Sequence, residues 1–460
     1  MGGYLTGLSG TGLGGYFVGQ DGLPTLYMQD VPWGLPGNAG RWSSGDWQGD
    51  ITAYLRNRWS QGFTSVRVNT FSQTKTGGID DTGSTWDGVN AFTSTNDPTS
   101  GFNNTYWTRV DWLVSQAALY GITVELVAAF RWWFDTSIFA NGWTNTQCNN
   151  LGIGLGNRYK ASPNVLWFFG DDYGGQYDTQ FTQILNGMRS AGDTHPLTIE
   201  YFATGSTSRR DLSGSPAGAG FSWGAANANY NCVYYYEPTY FGIEFAYQED
   251  SPIPVIWGDG YYYGDGANTT TDNRLGRNFA WWALASGARG ISTGSDNVQL
   301  WGSGSAAAVT TDGWHASEAG NVRRAVESLP GWHRLYPDLT NKLVTAGRGT
   351  RSSYSNQFYL ANTDNYVAAS RTPDGRLALL YGGLGMNVTI DQSLLVPGYT
   401  ATWIDPASGA TQPTSTGSTY NSAGLGNNSA GGSDWALALQ GPNPQRAVAA
   451  KITAGSSARR

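Results

Sequence analysis

Eight short apolar runs, most of them ending at or near a polar or acidic residue, recur at fairly regular intervals between residues 26 and 293 of this 460-residue chain. They occupy 26–30, 65–69, 123–128, 165–169, 197–201, 232–236, 255–257 and 290–293. Segments with helical periodicity lie between them. From Thr105 to Tyr120, the residues Trp107, Val110, Val114, Ala117 and Ala118 make one stripe of a helix that stops at Gly121. Segments 50–62, 178–192 and 272–287 also begin with Asp and end with Gly, which suits the positive N-terminus and the left-handed C-terminal turn of a helix. Apolar strands alternating with helices imply a parallel sheet, and eight of them imply closure into a (β/α)8 TIM barrel. The alternative, an open doubly wound sheet, would need a glycine-rich phosphate loop after the first run, and none follows it.

Past Lys342 the texture changes. Short apolar runs at 366–370, 377–381, 387–390 and 399–404 are broken by Pro373-Asp374-Gly375, Val396-Pro397-Gly398 and Asp405-Pro406-Ala407-Ser408-Gly409, with no helical segments between them. That pattern predicts a small antiparallel β-sandwich. We therefore expect a barrel domain over 1–340, a sandwich over 341–450 and a disordered tail over 451–460. The glycine-rich start, 2–15, carries Tyr4, Leu5, Leu8 and Leu13 and is expected to plug the bottom of the barrel. The polar stretch 74–101 follows the second strand, which places it at the face where barrel loops shape clefts.

Composition enters by what it excludes. A net charge of -7 and no Lys/Arg-rich run argue against nucleic acid, whose backbone draws on clustered cations. The two cysteines, Cys148 and Cys232, supply neither a zinc framework nor a disulfide scaffold, though one bridge or two free thiols are both open. His195, His315 and His333 stand apart from other metal-binding residues, so no metal and no cofactor are expected. No stretch approaches the 18 to 20 apolar residues of a membrane span, and Met1-Gly2-Gly3-Tyr4-Leu5 lacks the cationic start of a secretory signal. Only 13% of residues are charged, whereas 20 Trp and 26 Tyr offer flat apolar faces with polar edges, the shape that stacks on sugar rings or fills cores.

In a (β/α)8 barrel, carboxylates at the C-terminal ends of strands take priority. Asp171 and Asp172 end the fourth run and Asp259 the seventh. Asp30 follows the first, Glu200 lies in the fifth and Glu237 follows the sixth. Two carboxylates at such ends are what hydrolysis of a glycosidic bond requires, one to protonate the leaving oxygen and one to attack or to activate water. Strands four and seven carry the acid/base and the nucleophile in many retaining glycosidases, which assigns Asp172 and Asp259 to those roles. A helix cap for Asp172 and a turn role for Asp259 are the plain alternatives. Substrate contacts are expected from Asp30, Trp33, Arg131, Asp171, Glu200, Tyr236, Glu237 and Tyr261. Glu125, mid-strand, reads as a satisfied core residue.

Several runs carry a family resemblance. Gln29-Asp30-Val31-Pro32-Trp33, the helix Tyr54-Leu55-Arg56-Asn57-Arg58-Trp59-Ser60-Gln61-Gly62-Phe63 and the long run 158–172 (Arg-Tyr-Lys-Ala-Ser-Pro-Asn-Val-Leu-Trp-Phe-Phe-Gly-Asp-Asp) match motifs of the apiosidase-like (β/α)8 glycoside hydrolases. In the second domain, 371–381 is similar to the strand pair of their C-terminal β-domain, a domain associated with collagen binding. The resemblance covers most of the chain and puts Asp172 at the family's catalytic Asp position. Three positions depart from it. Asp171 replaces a Gly, Asp259-Gly260-Tyr261-Tyr262 stands where a Glu precedes a Tyr-Glu pair, and Glu200 stands where His is common. These departures leave glycosidase chemistry intact and leave the substrate open.

The reading that follows is a metal-independent retaining O-glycoside hydrolase acting outside the cell on a neutral, furanose-containing polysaccharide, with actinobacterial arabinan or arabinogalactan as the specific expectation. Either a secretory signal has been removed or the protein leaves its cell without one, and in the second case association with a virion or a cell envelope is expected; no membrane insertion is expected. The rival from another class is a non-catalytic glycan-binding adhesin or viral receptor-binding protein. Carboxyl separation discriminates, since about 5 to 5.5 Å between Asp172 and Asp259 suits retention and about 6.5 to 9.5 Å inversion.

Overall fold

The structure, a computed structural model, describes residues 4–9, 14–71, 73–75, 78–80, 83–135, 143–202, 205–211, 221–236, 238–248, 253–258, 262–264, 273–351 and 364–442. Eight parallel strands form the centre: β1 (Tyr27–Asp30), β2 (Ser65–Asn69), β3 (Thr123–Phe130), β4 (Val165–Tyr173), β5 (Leu197–Tyr201), β6 (Asn231–Val233), β7 (Val255–Trp257) and β8 (Gly290–Ser295). Their hydrogen-bonded order, β6-β7-β8-β1-β2-β3-β4-β5, is that of a nearly closed (β/α)8 barrel. At the remaining seam, between β5 and β6, single side chains do what a ladder does elsewhere. The Ser208 hydroxyl donates to the Ile199 carbonyl at 2.6 Å and accepts from the Cys232 N–H at 2.8 Å. Thr198 Oγ1 also donates to the Tyr230 carbonyl at 2.7 Å.

Around the barrel the local signals behave as helix physics requires. Helix α1 (Trp47–Ser60) starts where the Asp46 carboxylate accepts the Gly49 N–H, and α2 (Asn104–Leu119) where Asn103 accepts the Thr105 N–H. Helix α3 (Asn145–Tyr159) opens on a reciprocal capping box between Thr144 and Gln147. It packs against α4 (Asp178–Ser190) so closely that a Cβ at Gly152 would sit 1.9 Å from the Ile184 carbonyl oxygen. The stripe Trp107, Val110, Val114 and Ala117 of α2 is buried, as its period implies.

A hairpin of Leu5–Ser9 and Tyr16–Gly19 closes the bottom. The Leu5 N–H donates to Thr123 Oγ1 at 2.8 Å, at the first residue of β3. Leu5 and Phe17 join Tyr27, Leu166, Tyr230, Cys232 and Ile256 in a small sealed cluster. The lumen is thereby shut at the N-terminal ends of the strands, leaving the C-terminal ends as the face where chemistry is possible.

The C-terminal region forms a six-stranded antiparallel sheet, Tyr336–Pro337, Val367–Arg371, Leu377–Gly382, Trp435–Gln440, Thr400–Ile404 and Thr411–Thr414, with a three-stranded sheet, Val344–Ala346, Asn387–Ile390 and Thr419–Asn421. Period-two alternation divides the larger sheet's side chains between two cores. Val367, Ala369, Ala378, Leu380, Leu437 and Leu439 face the smaller sheet. Ala368, Leu379, Tyr381, Ala436 and Ala438 pack instead into the core around helix α5 (Asn273–Ala285) of the barrel. Polar anchors fix that join. Arg277 pairs with Asp434 at 2.7 Å and Glu318 at 2.8 Å, and Trp281 Nε1 donates to the Pro406 carbonyl at 2.9 Å. Burial on both faces is why Leu377-Ala378-Leu379-Leu380-Tyr381 reads as one continuous apolar run.

Candidate active site

Strand β4 pairs with β5 in register through Phe169↔Ile199 and Gly170↔Glu200, and the next pair is Tyr173↔Tyr201. Asp171 and Asp172 have no counterparts, so they are extruded from the ladder as a two-residue bulge at the open end of the barrel. The backbone there is left-handed at three successive residues, with φ of 100° at Gly170, 69° at Asp171 and 48° at Asp172. Only glycine fits the first, because a Cβ at position 170 would lie 2.2 Å from the Glu200 carbonyl oxygen. Asp is among the few side chains that tolerate the other two, at a cost of roughly 1 to 3 kcal/mol each, and such strain persists where the surroundings enforce it.

The surroundings do enforce it. Arg131, at the end of β3, donates from Nη1 to the Asp172 carbonyl at 2.6 Å. Tyr173, back in the sheet and buried, donates to Asp178 Oδ1 at 2.7 Å, accepts the Tyr177 N–H at 2.8 Å and stacks on Tyr201 with ring centroids 5.5 Å apart. Burial and the neighbouring Asp178 raise the Tyr173 hydroxyl well above its usual range, so it stays a donor. Both extruded residues are half-buried, and Asp172 Oδ1 is itself shielded from solvent.

Beneath this bulge the lumen holds a buried polar layer. Arg67 of β2 donates to Glu125 of β3 and, at 3.0 Å, to Glu200 of β5. Glu125 also accepts from Tyr27 at 2.8 Å, from Gln29 at 3.1 Å and from Tyr230. The Arg67 guanidinium lies 3.8 Å from the centroid of the Phe168 ring. All three charged residues are fully buried. Glu125 is thus the satisfied core residue expected. Arg67 is the residue that reading the sequence missed. Its signal was a lone cation inside the apolar run Ser65-Val66-Arg67-Val68-Asn69.

The structure separates the other expected contacts. Asp30 alternates out of the lumen, since Tyr27 and Gln29 point inward, and it faces α1. There it accepts from Arg58 Nε at 2.5 Å and from Tyr54 at 2.7 Å with no exposed surface. This corrects the expectation of a sugar contact at Asp30 and explains the Tyr54 and Arg58 of the helix motif. Trp33 is nearly buried, with Nε1 donating to the Tyr262 hydroxyl at 2.7 Å and its ring beside Phe130 and Phe168. It forms part of the floor of the mouth and not an open platform. Glu200 is likewise enclosed. At the end of β6 the Tyr234 and Tyr236 hydroxyls lie 2.6 Å apart, and Tyr236 is partly exposed. Ladder pairing there stops at Val233, short of the expected Tyr236, because Tyr234 turns to bridge with Ser206. Asp259, Glu237 and Tyr261 lie outside the described residues.

Among the described residues no group of three His, Cys, Asp or Glu side chains is arranged to hold a metal ion, and no helix is long and apolar enough to cross a membrane. Cys148 and Cys232 are both buried thiols, Cys232 Sγ donating to Glu200 at 3.8 Å, and burial pushes the Cys148 thiol up to about 12. What the mouth presents is a pair of half-buried acidic residues held by strained backbone over a charged, aromatic floor. Such a site is equipped for proton transfer to a bound polar substrate.

The comparisons with known proteins agree with this layout. A family model described as "Apiosidase-like, catalytic domain" matches residues 13–328. A family 5 glycoside hydrolase from Bacteroides vulgatus ATCC 8482 superposes with a TM-score of 0.73 at 17% identity, covering 94% of this chain and 93% of that one. Another solved structure, described as a glycoside hydrolase, gives a TM-score of 0.72 at 16% identity over 94% of this chain and 96% of its own. Both likenesses run through barrel and C-terminal sheets together, and at such identities they speak for the fold. No curated protein sequence matches the chain. By the family model, which spans most of its length, the chain belongs to the apiosidase-like catalytic-domain family and is a glycoside hydrolase.

Proposed function

We propose that the enzyme is a retaining O-glycoside hydrolase of a neutral, furanose-containing polysaccharide, with Asp172 as acid/base and Asp259 as nucleophile. The observation that carries this reading is the extrusion of Asp171 and Asp172 at the open end of β4. In the first step Asp172 donates its proton to the leaving glycosidic oxygen while the Asp259 carboxylate attacks the anomeric carbon from the opposite face, giving a glycosyl ester and a free hydroxyl. In the second step Asp172 takes a proton from water, the water oxygen attacks the same carbon, and the Asp259 carboxylate leaves. Two displacements preserve the anomeric configuration. Asp171, Arg131, Tyr236, Glu237 and Tyr261 surround the sugar in this reading, with Arg131 also holding the Asp172 carbonyl. An actinobacterial arabinan or arabinogalactan, met by an envelope-associated or virion-borne enzyme, is the specific substrate we propose.

The test is proton NMR of the first product released from arabinan, arabinogalactan and apiose-containing pectin. Retention on an arabinofuranosyl polymer is expected. Initial release of the opposite anomer would overturn the double displacement, and release from the apiose polymer alone would overturn the substrate.

A further inference from the structure

Helix α1 carries a feature that its packing does not require. Ile51, Tyr54, Leu55 and Arg58 supply its buried face, yet Trp59 is left 39% exposed on the outer flank. The Tyr120 ring stands beside it, centroids 6.1 Å apart and tilted by 45°. Two hollows meet at this tryptophan. One, of about 580 Å³, lies between α1 and the segment Ser305–Thr311, and its lining includes Arg56, Asn57, Ser60 and Thr310. The second, of about 410 Å³, shares Trp59 and Ser60 and continues toward Arg323 and Glu327. Each is within the size range of ligand sites, and together they make one groove along the side of the barrel.

We propose that this groove is an accessory saccharide-binding site that holds a neutral stretch of the polymer away from the catalytic mouth. The inference rests on the reading that the substrate is a polysaccharide. Trp59 provides a flat apolar face for the C–H side of a sugar ring. Arg56, three residues earlier and so on the same side of the helix, is exposed and forms no ion pair among the described residues, which leaves its fork of donors for hydroxyl groups. Asn57 adds a carboxamide to the same lining. Position sets the site apart from catalysis. Strands run toward the mouth and α1 runs back, so Trp59, at the far end of a 14-residue helix about 20 Å long, lies near the closed end.

Native gel electrophoresis through soluble arabinogalactan and, separately, galactomannan tests this without turnover being needed. In at least one gel the wild-type enzyme is expected to be retarded. Trp59→Ala should raise the apparent Kd at least tenfold and Arg56→Ala about threefold. Trp42→Ala, which removes another exposed tryptophan (54%) outside the groove, should stay within twofold of wild type. Wild-type mobility unaffected by both polymers, or both groove variants migrating as wild type, would overturn the site. Failure of the catalytic reading is a separate result, absence of sugar release by an enzyme that is still retarded.

Discussion

Asp172 and Glu125 are carboxylates on neighbouring strands of one barrel, and their surroundings are opposite in every respect that governs chemistry. Glu125 sits in regular strand, fully buried, and accepts from Arg67, Tyr27, Gln29 and Tyr230. Asp172 sits on left-handed backbone, extruded from the ladder and half-buried. A carboxylate whose oxygens are already engaged by buried donors has no room for a substrate hydroxyl. One carried on an enforced bulge is turned out of the ladder at the open end of the barrel. The pair teaches that a strand-end position alone does not mark a catalytic acid, because which way the residue alternates, and whether the ladder is broken there, decide its role.

The largest expected effect breaks the buried side of the comparison. Arg67→Met leaves Glu125 and Glu200 without their shared cation inside the barrel, which should cost about 3 to 5 kcal/mol. Chemical denaturation of this variant would show it, and a midpoint equal to wild type would mean the layer is not structural. A smaller effect sharpens the same division through pH. His333, packed at the closed end with its ring centroid 4.6 Å from that of Tyr16, is held down to about 4 from an ordinary 6.5 by burial and by Arg289 and Arg334. Below 6.5 the unfolded chain therefore binds a proton that the folded chain refuses. Stability contributed by neutral His333 is complete above about 6.5 and falls away as the pH drops toward about 4. Denaturation midpoints measured across this window should slope less in His333→Gln than in wild type.

Much of this fold was legible in the residues themselves. Apolar runs at 65–69, 197–201 and 255–257 coincide with β2, β5 and β7, because short hydrophobic segments between capped helices have little else to become. The errors in facing have one physical cause. Strands of a parallel barrel are buried on both faces, so they show no polar alternation to reveal which residues point inward. Asp30 was therefore misread as facing substrate and Arg67 was overlooked. The Ser208 bridge at the β5–β6 seam depends on contacts far apart in sequence and left no local trace. Gly170 was the one local sign of the bulge, and its meaning required the register with β5.

On the proposed reading, the extruded carboxylate at β4 does chemistry while the buried ones hold the barrel. The most direct measurement compares Asp172→Asn with Asp30→Asn for sugar release and unfolding free energy together. Asn also tolerates left-handed backbone, so Asp172→Asn should unfold like wild type and lose about 10³-fold or more in kcat. Asp30→Asn, which leaves the buried Arg58 uncompensated, should lose about 3 to 5 kcal/mol of stability while its folded fraction keeps near-normal turnover. Full activity in Asp172→Asn, or loss of turnover without loss of stability in Asp30→Asn, would contradict the account.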